Sequence, residues 1–202
     1  AYGERMAQIC DKAHISYDIK RYSMIRQLDL SLIEKEIARA DITHVAYIHS
    51  ETTAGVLNDI RGIQDLIHRY HKSSIVDAMS SFGSLPLDLD ALDIDYFVTS
   101  SNKCVHGVPG LAIIIAKRSH LETCKDVCHS LSLDLYAQYR FMEENAGGFR
   151  FTSPTHVLRA LSTALRETIA QGGIEARHQR YLKLQMQIRE AMLGHGFQTL
   201  VP

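Results

Sequence analysis

Four short apolar runs constrain this chain more than any other feature. Val45-Ala46-Tyr47-Ile48, Tyr96-Phe97-Val98-Thr99 and Leu111 to Ala116 are continuously apolar and rich in β-branched residues, and Ser74-Ile75-Val76 is a shorter run of the same kind. They have strand length but lack the apolar–polar alternation of a sheet with one wet face. That pattern predicts strands buried on both faces, in a mostly parallel sheet between helix layers. Helical spacing fills the intervals. Leu30, Ile33, Ile37 and Ala40 recur every three or four residues, as do Ile60, Ile63, Ile67 and Tyr70. Val157, Leu158, Leu161, Leu165 and Ile169 repeat the pattern until Gly172-Gly173 stops it. Ser31 and Glu34 have the spacing of a capping box. Strand, helix and strand over 44–78 make a βαβ unit, so the expected class is α/β.

After Gly173 the chain changes character. Residues 174–193 read as a charged amphipathic helix, followed by Gly194-His195-Gly196 and a strand-like Phe197 to Val201. The expected division is a large domain over 1–172 and the beginning of a small α+β domain over 173–202.

Composition removes several function classes. The 202 residues carry 22 Lys plus Arg and 23 Asp plus Glu, a net charge of −1. No basic excess marks a nucleic-acid binder. No apolar run approaches the roughly 20 residues of a membrane span, and no signal peptide is visible. Four cysteines, Cys10, Cys104, Cys124 and Cys128, are too sparse for a disulfide framework, so the expected compartment is a reducing cytoplasm.

In open parallel sheets a ligand sits beyond the carboxyl ends of the strands. There this sequence places His49-Ser50-Glu51-Thr52-Thr53, then Asp77-Ala78-Met79-Ser80-Ser81, then Ser100-Ser101-Asn102-Lys103-Cys104. Taken singly, Lys103 reads as a surface loop lysine and Asp77 as a turn former. Together they read differently. A buried carboxylate needs a partner, and a pyridinium nitrogen is one. Pyridoxal phosphate uses such a pair, a lysine for covalent attachment and an acid facing the ring nitrogen.

The strings Ser73 to Gly83, Ser100 to Cys104 and Val108-Pro109-Gly110 resemble the class-V, fold-type-I pyridoxal-phosphate-dependent aminotransferases. With Glu51-Thr52-Thr53, Ser130 to Tyr136 and Arg150 to His156, the chain is similar to their 2-aminoethylphosphonate–pyruvate aminotransferase branch. The resemblance implies a large domain whose sheet has one antiparallel strand, at Leu111 to Ala116. It implies that Lys103 holds pyridoxal 5'-phosphate and then acts as general base, and that Asp77 pairs with the ring nitrogen. Thr53 would lie near the ring oxygen, with Asn102 and Ser80 or Ser81 also at the cofactor. Thr152 would reach the phosphate of a neighbouring subunit's cofactor, in a homodimer. The reaction implied converts 2-aminoethylphosphonate and pyruvate to phosphonoacetaldehyde and L-alanine, in phosphonate degradation.

In that family the glycine-rich phosphate turn and a ring-stacking aromatic would precede Ala1, and the arginine for the substrate's acidic group would follow Pro202. The chain is therefore expected to be a central piece of an enzyme that acts at full length. An alanine–glyoxylate or serine–pyruvate aminotransferase, or a non-catalytic remnant, are the competing readings. A metal site at His120, Cys124 and Cys128 lacks a second ligand pair, and no GxSxG, P-loop or GxGxxG occurs. His49 and His106 stand near the expected crevice as substrate contacts. His14, His68, His71 and His178 read as solvated. Arg150 reads either as a phosphonate contact or as half of an ion pair.

Overall fold

The computed structural model describes residues 2–201. In chain order it forms α1 (Tyr2–Lys12), α2 (Leu30–Ile37), β1 (His44–Ile48), β2 (Ser50–Glu51), β3 (Val56–Leu57), α3 (Ile60–Arg69) and β4 (Ser73–Asp77). Then come α4 (Leu89–Leu92), β5 (Tyr96–Ser100), β6 (Ala112–Ala116), α5 (Arg118–Glu122), α6 (Leu135–Glu144), α7 (Thr155–Ala170) and α8 (Gly173–Gly194). The main sheet runs β1-β4-β5-β6. Its first three strands are parallel and β6 is antiparallel to β5, as expected. β2 and β3 make a small separate hairpin between β1 and α3.

One face of the sheet is dry. Ile33 and Ile37 of α2 and Ile60, Ile63, Leu66 and Ile67 of α3 pack with Tyr47, Val76 and Phe97 of the strands. Ile67 and Val76 are wholly inaccessible. The three- and four-residue spacing of the isoleucines puts them on one helical stripe, and that stripe meets the pleated row of alternate strand residues. The other face is only partly covered among the described residues. On that face Ala46 of β1 and Ala112 of β6 are exposed, and at the β6 edge of the dry face Ile115, paired with Phe97, is also 40% exposed. A run without alternation therefore does not mean equal burial here.

The capping box does not form. Asp29, one residue ahead of α2, accepts from the Ser31 amide at 2.9 Å and from its hydroxyl at 2.7 Å. A carboxylate at that position outcompetes a hydroxyl inside the first turn. Glu34 instead accepts from Arg69 at 2.8 Å and the Tyr70 hydroxyl at 2.9 Å, tying α2 to the end of α3. Asp59 caps α3 through the Gly62 amide at 3.0 Å.

Helix α8 matches the expected span, but it is not amphipathic. Leu182, Leu184, Met186 and Ile188 step by two and so spread round the helix, and all four are exposed. Phe197 to Val201 forms no strand. No helix among the described residues is long and apolar enough to cross a membrane.

A buried carboxylate locks the amino end of β5. Asp95, with a side chain only 4% exposed, accepts from the Ser74 amide at 2.8 Å and from Lys117 Nζ at 2.8 Å, with His120 Nε2 at 3.3 Å. Burial pushes its pKa up, but the Lys117 hydrogen bond, the Ser74 amide and the Lys117 charge outweigh burial and hold it below the usual carboxylate range. A depressed acid stabilises the fold above its unfolded pKa of about 4, and that contribution fades as pH falls through the lower folded value. Asp95→Asn should therefore cost about 2–3 kcal/mol at pH 7, less than a fully buried pair because Lys117 keeps Asp93 at 2.6 Å. Urea unfolding should show that gap, and the gap should close below about pH 4.

Candidate active site

The three parallel strands end in one row. Ile48 stands opposite Asp77, and Asp77 opposite Val98. The loops that follow therefore leave from one edge, and hydrogen bonds stitch them together. The His49 amide donates to the Asp77 carbonyl at 2.9 Å, and the Ala78 amide to the Val98 carbonyl at 2.9 Å. The sequence places Thr53, Asp77, Ser81, Asn102 and Lys103 on these loops, and the register brings the loops side by side.

Lys103 sits in a tight turn closed on itself. The Gly107 amide donates to the Ser101 carbonyl at 2.8 Å, the His106 amide to the Lys103 carbonyl at 2.9 Å, and the Ser101 hydroxyl to the Val108 carbonyl at 2.6 Å. A Cβ at Gly107 would stand 2.7 Å from the Ser101 carbonyl oxygen, so the turn admits only glycine there. The loop after β4 packs onto the same turn. Gly83, at φ +85°, lies where a Cβ would meet the backbone of Cys104 and Val105 at 3.2 Å, and the Cys104 thiol reaches the Ser80 carbonyl at 3.5 Å. Lys103 itself is exposed, and its ammonium makes no ion pair among the described residues.

Asp77 is half-buried at the end of β4. Its carboxylate accepts from the Met79 amide at 2.9 Å, and no basic side chain among the described residues pairs with it. Burial raises its pKa; the Met79 amide opposes the rise and the nearby charge of Glu51 adds to it. An acid in that state gains from a cationic N–H donor, which is what a protonated pyridine offers. The residues present thus fit such a ring.

The remaining expected residues differ in setting. Thr53 is exposed in the β2–β3 turn, its amide held by Glu51 at 3.0 Å. Asn102 is exposed and accepts from the Ser100 hydroxyl at 2.9 Å. Ser81 is 1% exposed, and its hydroxyl shares a hydrogen bond of 2.8 Å with Nδ1 of His49. Ser80, beside it, is half-buried. Thr152 is exposed just ahead of α7 and makes no hydrogen bond to the other five among the described residues.

Several histidine readings change. His49 is 2% exposed, enclosed with Ser81 rather than open to a substrate. His68 donates to the Asp93 carbonyl at 3.0 Å and His178 to the Ser84 carbonyl at 3.1 Å, so neither is simply solvated. Arg150 donates to the Leu131 carbonyl at 3.0 Å, which is neither of the roles expected of it. His120, Cys124 and Cys128 turn to separate neighbours, namely Asp95, the Tyr96 hydroxyl and Ser130. A cavity of about 530 Å³ beside β1 borders Glu51 but neither Asp77 nor Lys103.

Sequence reasoning missed Arg177. It is 4% exposed on α8 and donates to the carbonyl of Cys104, next to Lys103, and to the Thr168 hydroxyl at 2.7 Å. In the sequence it is one of several cations in a charged helix, and no local spacing distinguishes it.

Comparison with known proteins identifies the family. The family model described as Aminotransferase class-V matches residues 6–201. A 2-aminoethylphosphonate–pyruvate transaminase of Bacteroides fragilis is 46% identical over 202 residues, covering 100% of this chain and 56% of that protein. One of Salmonella enteritidis is 48% identical over 203 residues, covering 100% of this chain and 55% of that protein. The chain thus spans about half the length of the curated relatives it matches. Among solved structures, alanine–glyoxylate aminotransferase of Nostoc sp. superposes with a TM-score of 0.86 at 20% identity, over 98% of this chain and 53% of that one. Pyridoxamine–pyruvate aminotransferase of Mesorhizobium loti gives 0.78 at 23% identity, over 89% and 46%. At these identities the superpositions show the shared fold, that of fold-type-I aminotransferases.

The enclosed His49 has a consequence for pH. Burial pushes its pKa down to about 4. A lowered histidine stabilises the fold fully above its unfolded pKa near 6.5, and that contribution is lost as pH falls toward 4. Urea unfolding should show stability dropping by roughly 2–3 kcal/mol across that window. His49→Gln should flatten the drop; an unchanged slope in the variant would assign the effect elsewhere.

Proposed function

The chain belongs to the class-V aminotransferase family, and from that membership we propose that the full-length protein transfers the amino group of 2-aminoethylphosphonate to pyruvate. The products are phosphonoacetaldehyde and L-alanine, and the cofactor is pyridoxal 5'-phosphate. The observation that carries the reading is the half-buried Asp77, unmatched by any basic side chain among the described residues, one strand from the uncommitted Lys103. The named relatives at 46% and 48% identity support the choice of donor.

Pyridoxal phosphate, when bound, supplies a conjugated ring that delocalises the electron pair left on the donor carbon. The protein supplies position and proton transfer. Lys103 would hold the cofactor through its Nζ and, as general base, would take the proton from the donor's C1 carbon. A tight turn holds its backbone, so the amine acts from a fixed origin. The Asp77 carboxylate would accept the ring N–H and keep that nitrogen charged. Thr53, Asn102 and Ser80 or Ser81 would hold the cofactor from the same edge, the Ser81 hydroxyl also being shared with the enclosed His49. Thr152, away from this cluster, serves the cofactor of a second subunit in a homodimer. Residues 1–172 form the cofactor-binding domain and 173–202 begin a smaller one. All four cysteines are free thiols, which suits the cytoplasm.

The test uses the full-length protein with pyruvate and a series of amino donors. 2-Aminoethylphosphonate should yield alanine and phosphonoacetaldehyde in equal amounts, while serine, or alanine with glyoxylate, should be poor. Efficient turnover of the carboxylate donors with 2-aminoethylphosphonate inert would contradict the proposal. Lys103→Ala should lower kcat by about a thousandfold or more, the scale of a lost general base. Asp77→Asn should lower it on the order of a hundredfold while cofactor still binds. Wild-type turnover in Asp77→Asn would remove that residue from its role.

A further inference from the structure

A buried guanidinium is expensive unless its donors are used, and it is ordinarily paired with a carboxylate. Arg177 is 4% exposed, forms no ion pair with a carboxylate among the described residues, and leaves Nε without a hydrogen-bond partner. Its other nitrogens are committed. Nη1 donates to the Cys104 carbonyl, and Nη2 to Thr168 Oγ1 at 2.7 Å. Thr168 is itself buried and fixed, its hydroxyl donating to the Ala164 carbonyl at 2.7 Å. A rigid fork anchored on α7 thus grips the Cys104–Val105 peptide, one residue past Lys103.

Two further contacts reach from the same two turns of α8. Tyr181, one turn after Arg177, has its hydroxyl 2.6 Å from His106 Nε2. His178 donates to the Ser84 carbonyl at 3.1 Å. His106 adopts the left-handed region at φ +66°, a conformation uncommon for non-glycine residues, within the turn that Tyr181 touches. The lysine turn is therefore held from outside the sheet, by a helix that lies 70 residues later in the chain.

Resting on the reading of Lys103 as the cofactor-bearing lysine, we propose that Arg177 is a positioning residue for it. The guanidinium fixes the Cys104–Val105 peptide, one residue beyond Lys103, and through that turn the origin from which the lysine amine acts. The cost of burying an unpaired cation is offset by this constraint rather than by a charge partner. The lysine's geometry is thereby coupled to how α8 seats on α7.

The test compares wild-type full-length protein with Arg177→Met, Arg177→Lys and Thr168→Val. Two readouts are taken: amide hydrogen exchange over 103–107 without cofactor, and the rate at which added pyridoxal phosphate is captured covalently at Lys103. Arg177→Met should lose protection over 103–107 and slow capture tenfold or more, since small displacements of a reacting group carry penalties of this size. Arg177→Lys should recover part of both, because an ammonium can hold the Cys104 carbonyl but lacks the fork. Thr168→Val should shift both in the same direction by less. Wild-type exchange and capture in a folded Arg177→Met would overturn the proposal. So would failure of both Arg177→Met and Thr168→Val to fold, which would make Arg177 a residue of the fold alone. If wild-type protein captures no cofactor at Lys103, the functional reading fails instead, and exchange over 103–107 still decides whether Arg177 holds the turn.

Discussion

Parallel pairing of β1, β4 and β5 is the constraint on which the rest of this molecule depends. It sets Ile48, Asp77 and Val98 side by side, so that loops 49–55, 78–85 and 101–107 leave from one edge. Parallel strands need a crossover, and α3 supplies one by laying its isoleucine stripe over Tyr47 and Val76. Packing on that dry face therefore fixes the spacing of residues that never touch it. A slip of one residue in β4 would turn Asp77 to the opposite face and remove the acid from the site.

The two ends of the sheet treat buried acids in opposite ways. At the amino end, Asp95 is enclosed and fully satisfied by Lys117, Ser74 and His120, and its proton is held off. At the carboxyl end, Asp77 has a single amide donor, and burial raises its pKa. One carboxylate stabilises the fold. The other is left with unmet demand for a cationic donor, the state expected of an acid that waits for a ligand. Arg177 follows the same logic in reverse, a buried cation that gives its hydrogen bonds to the turn bearing Lys103 and not to an anion.

Much of this was legible in the residues. The apolar runs marked all four main strands, and the spacing of Ile60, Ile63 and Ile67 marked the crossover helix. The strand ends put Asp77 and the Lys103 loop at one edge of the sheet, because the rule for ligand position in parallel sheets needs only strand order. What was not legible depends on competition or on distance. Asp29 displaced Ser31 as a cap because a nearby carboxylate is the stronger acceptor. His49 was placed near the edge correctly, but its enclosure with Ser81 depends on how two loops pack. Arg177 acts on a peptide far away in sequence, and a charged helix with apolar residues at 182, 184, 186 and 188 carries no pattern that reveals it. Exposure within the apolar runs also escaped, since Ala46, on the second face, and Ile115, at the sheet edge, read as core and are exposed.

One lysine at this edge, Lys103, is proposed to bear the cofactor. The most direct measurement mixes the purified full-length protein with pyridoxal phosphate, reduces it with borohydride and maps the modified peptide by mass. The account predicts a single stable label on Lys103, suppressed when 2-aminoethylphosphonate is added before reduction. A label on another lysine, or none on Lys103, would contradict it.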